Sequence, residues 1–474
     1  MLFQTPEFIL FLGITLLIYY KFPNLRLYTL GFANLLFYGV VGLGAVILFL
    51  GIITISYLLS FGLQGKYKKI FIWIAILINV ANLILFQYSI LLLTSLEQLL
   101  AIELIIKNTL VTHLILPIGI SFYTFQMIAY LVDVYQEKIE VCKSWLTFWV
   151  FMSFFGQLIA GPIMRGKDLI PQVQKLKTIV LDDANLKLGA GLFLLGLFKK
   201  VVLADNLAIY ADLAFQHGAS LTGPEAWIAA FVYTFQIYFD FSAYSEMALG
   251  IGYLFGIKLA VNFKTPYISR NPTEFWRRWH ITLSTWIRDY IYIPLGGSRK
   301  GENRQYANLF MAMTISGLWH GAAWNFAIWG MYHGALLIGH KFYLKFLDKT
   351  SLKKFANNIW SKLISIAIFF PLVALGWVFF RQGDITVATQ MINKMLTTNP
   401  LAVDSSLYKY ILLILGLYFA HVLEYIAIKN QDKITQLWHK ILPAPLRGIF
   451  YTIIIVIIVI FLKNETSAFI YFQF

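Results

Sequence analysis

Residues 305–339 read QYANLFMAMTISGLWHGAAWNFAIWGMYHGALLIG, 35 positions without Asp, Glu, Lys or Arg. A helix needs about 20 apolar residues to cross a bilayer core, so this run predicts two membrane helices joined by a short turn. His320 lies near its middle, in SGLWHGAAWNF, and His333 and His340 follow on the second helix. Ionisable side chains at such depth are costly and default to function. A neutral imidazole can take a proton from a hydroxyl, which makes His320 a candidate general base. A histidine bonded to a neighbouring helix as a packing device is the structural alternative. His333 and His340 read as structural or interfacial, and His113, His217, His421 and His439 carry no spacing signal.

The whole chain agrees with that opening run. Of 474 residues, 59% are hydrophobic and only 13% charged. Soluble domains carry about 25% charged residues, so an ordinary globular enzyme is excluded. Lys and Arg outnumber Asp and Glu 38 to 23, a net +15. Such a balance suits an anionic surface, but a free nucleic-acid binder would not carry so much uncovered apolar sequence. The single cysteine, Cys142, excludes an intrachain disulfide framework and reads as a small buried residue. No HExxH, GxSxG, Walker or dinucleotide pattern occurs, so neither a metal site nor covalent serine catalysis is expected.

Charge-free runs count the spans. Phe8–Tyr20 follows a start without a basic n-region or cleavage site and reads as a retained span. Leu27–Gly65 is long enough for a hairpin; Ile70–Leu96, Asn108–Val132 and Ser144–Met164 are single candidates. Leu188–Ala204 is interrupted by Lys199 and Lys200, and Ala226–Ile257 by Asp240 and Glu246. Leu363–Phe380, Tyr408–Ala427 and Gly448–Leu462 follow the opening run, with an amphipathic surface helix at Asp384–Leu396. The sum is an all-α polytopic membrane protein of about 11 transmembrane helices, some re-entrant or interfacial, in a single domain over 1–474. Lys21 and Arg26, then Lys66, Lys68 and Lys69, place their loops in the cytoplasm and the N-terminus outside.

The positive charge gathers at Lys264–Arg304, where eight cations face three acids over 41 residues. Within it, NPTEFWRRWHITLSTWIRDY opens with a helix start: Asn271 as cap, Pro272 first, and Glu274 where a capping-box acid belongs. At about 100° per residue, Arg277, Arg278 and Arg288 share one face, while Phe275, Trp276, Trp279, Leu283 and Trp286 fill the other. One amphipathic helix is expected, its Trp side chains at headgroup level and His280 on its border. It either rests on an anionic leaflet or forms a cytosolic mouth whose Arg forks hold a polyphosphate donor. Gln236, Asp240 and Tyr244, four apart, share one helix face, as a polar tunnel lining or as partners for basic residues.

With these residues in view, the sequence resembles the membrane-bound O-acyltransferase superfamily, in its bacterial alginate/peptidoglycan O-acetyltransferase branch. The resemblance rests on PIGISFYTFQMIAYLVDVY (117–135), GQLIAGPIMR (156–165), YFDFSAYSEMALGIGYLFGI (238–257), NFKTPYISRNPTEFWRRWHITLSTWIRDYIYIPLGG (262–297) and GLWHGAAWNFAIWGMYHG (317–334). It implies helices ringing a central funnel or tunnel, with 262–340 as the catalytic core segment. His320 then takes the catalytic position and His280 the second motif position, and Trp319 and Asn325 join Arg277, Arg278 and Arg288 as donor contacts. The resemblance implies no tightly bound cofactor. Acetyl-CoA is the cytoplasmic donor, and a separate extracytoplasmic SGNH-type transferase completes delivery to a glycan outside the bacterial inner membrane. Peptidoglycan is favoured and alginate next. A D-alanyl exporter for teichoic acid is the alternative within the fold, and a lipid or ion-coupled transporter using Asp240 and Glu246 the alternative outside it.

Overall fold

The computed structural model describes residues 1–101, 117–180, 182–351, 358–399, 402–462 and 469–470, which are helical wherever they are regular. Among the described residues, five helices are long and apolar enough to cross a membrane: Leu43–Gln64, Lys68–Leu100, Ile359–Arg381, Ser405–Lys429 and Ala444–Phe461. A sixth span arises if Pro6–Lys21 and Pro23–Gly39, bent by 114° at Phe22, count as one. The remaining described helices are shorter or more polar than a membrane span requires, so the expected count of about 11 is not reached among the described residues. Part of the expected Asn108–Val132 span, residues 108–116, lies outside the described residues, as does His113; the rest forms Ile120–Tyr135.

The 305–339 run folds into two helices joined by a short link, Glu302–His320 and Trp324–Asp348, although neither is among the helices long and apolar enough to span a membrane. Glycines set their separation. A Cβ on Gly317 would stand 2.2 Å from the Phe326 carbonyl oxygen and 2.9 Å from the Gly330 Cα. Two backbones approach this closely only where side chains are missing. Gly317→Ala should therefore wedge the pair apart and cost about 1–3 kcal/mol, the usual price of overpacking. The check is the apparent unfolding midpoint in detergent, which should fall; an unchanged midpoint would contradict the close crossing.

Two expected helices are corrected. Ser144–Met164 is helical only over Trp145–Ser153; residues 154–165 then run irregularly, and all but Arg165 are buried. Irregular backbone at membrane depth is tolerated only where protein covers it, and here Gly156, Gly161 and Pro162 cannot sustain a helix. The amphipathic helix from Asn271 also does not run through. Asn271 caps as expected, accepting from the Glu274 amide at 2.8 Å, but helix Pro272–Trp276 stops and Ile281–Ile287 restarts. At the restart His280 is left-handed, with φ 41° and ψ 56°, a conformation costly for a residue with a Cβ. Trp276, Trp279 and Trp286 are consequently buried in the core and not at headgroup level.

Arg26 also departs from its expected place in a cytoplasmic loop. It is buried, and its guanidinium donates to the carbonyls of Tyr19, Leu176 and Ile179. Cys142 is buried as expected, and Asp384 caps the short helix Ile385–Thr397, whose Ala388, Met391 and Met395 turn inward.

Candidate active site

The site is built where the broken segment meets the end of the paired helices. Helix Glu302–His320 ends on His320, and a three-residue link leads into Trp324–Asp348. Two side chains pin this end: the Tyr88 hydroxyl donates to the Leu318 carbonyl at 2.6 Å, and Asn325 Nδ2 to the Phe379 carbonyl at 3.0 Å. Asn325 therefore ties the start of one helix to the end of Ile359–Arg381.

The left-handed turn at His280 is held by Asn262, fully buried beside it. The Asn262 carbonyl accepts from the Ile281 amide at 3.0 Å, and its Oδ1 accepts from the Thr282 hydroxyl at 2.7 Å. Its Nδ2 donates to the Ser245 hydroxyl at 3.2 Å, and Thr282 Oγ1 accepts from the Ile163 amide at 3.0 Å. Asn262 thus locks His280 against helix Gly223–Leu254 and the irregular 154–165 segment together. Neither Asn262 nor Thr282 stood out in the sequence, because a buried amide that braces backbone has no spacing signature.

These two supports bring His280 and His320 together. Their ring centroids lie 6.4 Å apart, and both are buried, at 0% and 5% exposure. Trp319 stands beside both, 5.6 Å from His280 and 5.0 Å from His320, with its Nε1 on the Ser121 carbonyl. Phe122 and Phe241 face His280, while Trp329 and Phe380 stand edge-on to His320. Aromatic rings thus flank both buried imidazoles, and such a low-dielectric surrounding strengthens their interaction with a proton or a developing charge. His333, fully buried, extends the row: Trp329 lies 5.0 Å from His320 and 4.8 Å from His333.

The basic residues do not converge as one face. Arg277 is exposed, and Arg288 is paired with Asp289 at 2.8 Å. Arg278 is bound to Glu274 at 3.0 Å and donates to the Lys264 carbonyl. Glu274 also holds Arg270, at 2.9 Å, and although burial opposes ionisation, these arginine bonds lower its pKa.

Asp240 and Glu246 find lysine partners, not arginines of the basic stretch. Helix Asp183–Phe198 continues as a π turn, Lys199–Ala204, which aims both lysines at Gly223–Leu254. Lys200 Nζ lies 2.6 Å from Asp240 and 2.9 Å from Asp205. Lys199 meets Glu246 and, at 2.6 Å, Glu424. The Tyr267 amide donates to His421 Nε2, so Nδ1 carries the proton and faces Glu424. Tyr244 stacks on Phe3 at 4.5 Å and meets Phe469 at 4.9 Å, while Gln236 is buried one turn above Asp240. Asp240 also accepts from the Ile470 amide at 2.7 Å, which seats these C-terminal residues beside Phe241 and so next to His280.

The buried His280–His320 pair, beside the break in the 272–287 segment and the end of the paired helices, is the candidate site of this multi-helix protein. The model of MBOAT, the membrane-bound O-acyltransferase family, matches residues 142–380, and the chain belongs to that family. It is therefore an acyltransferase. It is 38% identical over 435 residues to the peptidoglycan O-acetyltransferase of Helicobacter pylori, covering 84% of this chain and 80% of that one. It is 39% identical over 405 residues to the probable alginate O-acetylase AlgI of Pseudomonas putida, covering 83% and 80%. Similarity to the teichoic acid D-alanyltransferase of Bacillus subtilis is lower, 29% over 278 residues, covering 56% and 69%.

Proposed function

We propose that this protein takes acetyl from cytoplasmic acetyl-CoA and passes it across the bacterial inner membrane for O-acetylation of a polysaccharide, peptidoglycan before alginate. The observation that carries this reading is the buried His280–His320 pair flanking Trp319 among aromatic rings. Names of relatives at 38% and 39% identity support acetyl as the group moved, and their near-equality leaves peptidoglycan ahead only as the more widespread bacterial polymer. D-alanyl transfer ranks lower, since that relative shares less of the chain.

In this reading His320 takes the proton of an acceptor hydroxyl as its oxygen attacks the thioester carbonyl. The carbon–sulfur bond breaks, and the coenzyme A thiolate leaves with the proton from the imidazolium, so the histidine returns unchanged. Arg277 and Arg288 meet the donor's phosphates at the cytosolic mouth, with Arg278 behind them. Trp319 and Asn325 shape the chamber, Gln236, Asp240 and Tyr244 lie along the path outward, and the shorter helices ring that path as a funnel. An SGNH-type transferase outside the membrane completes delivery, and the N-terminus faces the same side.

The test is purified protein in sealed vesicles, supplied outside with acetyl-CoA labelled in the acetyl group. Thioester loss that requires the extracytoplasmic partner, with label recovered on the far side, is the expected result. Label that never leaves coenzyme A with the partner present would overturn the reading and favour transport of an intact substrate.

A further inference from the structure

Away from the histidines lies a cavity of about 1040 Å³ between Gly223–Leu254, Ile359–Arg381 and Tyr408–Lys429. Its volume is at the upper end for small-ligand sites, about 300–1,000 Å³. Tyr267, Trp279 and Trp377, packed ring to ring, stand between it and the His320 chamber: Phe370 on the cavity wall lies 5.5 Å from Tyr267, Tyr267 6.0 Å from Trp279, and Trp279 4.9 Å from Trp377. The cavity is separate from the histidine pair and borders the proposed donor mouth only at Arg278.

Its two ends differ in chemistry. At one end Arg270 and Arg278 gather on Glu274, the single acid of the lining, with Arg278 lying 5.7 Å from the Tyr425 ring, and Lys362 is the third cation of the lining. The rest is apolar, formed by side chains such as Phe231, Leu363, Phe370 and Ile414. From Tyr425 to Ile411 the wall is one helix, and at 1.5 Å per residue that is about 21 Å. A bilayer leaflet's hydrocarbon is about 15 Å deep, half the core, so the apolar part takes a full acyl chain. Two of the three bordering helices are long and apolar enough to span the membrane, so the cavity lies between candidate membrane spans.

We propose that this cavity holds an anionic phospholipid, its phosphate on Arg270, Arg278 and Lys362 and an acyl chain along Tyr408–Lys429. Charge complementarity selects that occupant. The lining's excess of two cations has no counterpart among the lining side chains, and an anionic headgroup supplies it. A zwitterionic lipid would fill the same volume while leaving that excess uncompensated.

The experiment is reconstitution of the full chain in nanodiscs of equal phosphatidylethanolamine and phosphatidylglycerol, then native mass spectrometry of the lipid that stays bound. Wild type should retain one phosphatidylglycerol. Lys362→Glu should lower its preference over phosphatidylethanolamine roughly thirtyfold, the scale of removing a cation and adding an anion beside a lipid headgroup. Ala367→Trp, which fills the apolar part without touching the charges, should remove the bound lipid. Should Lys362→Glu fail to give monodisperse protein, Lys362→Gln reads the same preference with a smaller change. Equal retention of both lipids by wild type, or unchanged retention in Ala367→Trp, overturns the proposal. Displacement of the bound lipid by coenzyme A overturns it too, and assigns the cavity to the donor.

Discussion

His320→Gln is expected to lower acetyl transfer from acetyl-CoA by about 10²–10⁴-fold, the usual contribution of a positioned general base. Gln keeps much of the volume between Trp319, Trp329 and Phe380 but cannot carry the proton. The fold should survive, because the Tyr88 hydroxyl holds the end of Glu302–His320 at the Leu318 carbonyl, Asn325 holds the start of Trp324–Asp348 at the Phe379 carbonyl, and neither bond passes through the imidazole. His320→Ala should lose as much activity and some stability besides, since it leaves a cavity among three large rings. The measurement is single-turnover thioester loss in vesicles at saturating donor, paired with donor binding at equilibrium. A rate drop with unchanged binding assigns His320 to the chemical step; a wild-type rate would remove it from that role. His280→Gln separates the pair. If His280 only orients the acceptor, its loss raises the acceptor concentration needed for half-maximal rate more than it lowers the rate at saturation.

That argument draws on positions of unequal legibility. His320 was visible because a charge-free run isolates it, and the paired helices around it follow from the length of that run. The break at His280 was hidden. Projection at helical period assumes an unbroken helix, and the segment carries apolar residues at nearly the right intervals for one. What breaks it is tertiary: Asn262 offers its carbonyl to the Ile281 amide and its side chain to Thr282, and those bonds replace helical ones. Composition also misread residues 154–165, since an apolar stretch buried in protein and one facing lipid have the same residues. The lysines at 199 and 200 and the acids at 240 and 246 each showed as interruptions of a span. Pairing them needed the π turn, whose extra residue brings two adjacent lysines to bear on one neighbouring helix.

That pairing carries a large expected effect. Lys200→Met should destabilise the protein by about 3–5 kcal/mol, because Asp205 and Asp240 would remain buried without their shared cation. A second change separates this cause from lost packing. Asp240→Asn in the Lys200→Met background removes one stranded charge while still accepting the Ile470 amide, so the double variant should recover part of the lost unfolding midpoint. Additive losses in the double variant would mean that the cluster contributes through packing and not through charge. The effect should also reach the chamber. Asp240 seats Ile470, Phe469 lies 5.8 Å from Phe241, and Phe241 lies 4.7 Å from His280. Loss of the lysine therefore loosens one wall of the histidine pair, and transfer activity in Lys200→Met should fall further than the remaining folded fraction accounts for. Activity that tracks the folded fraction alone would confine Lys200 to holding helices together and leave the Phe241 wall independent of it.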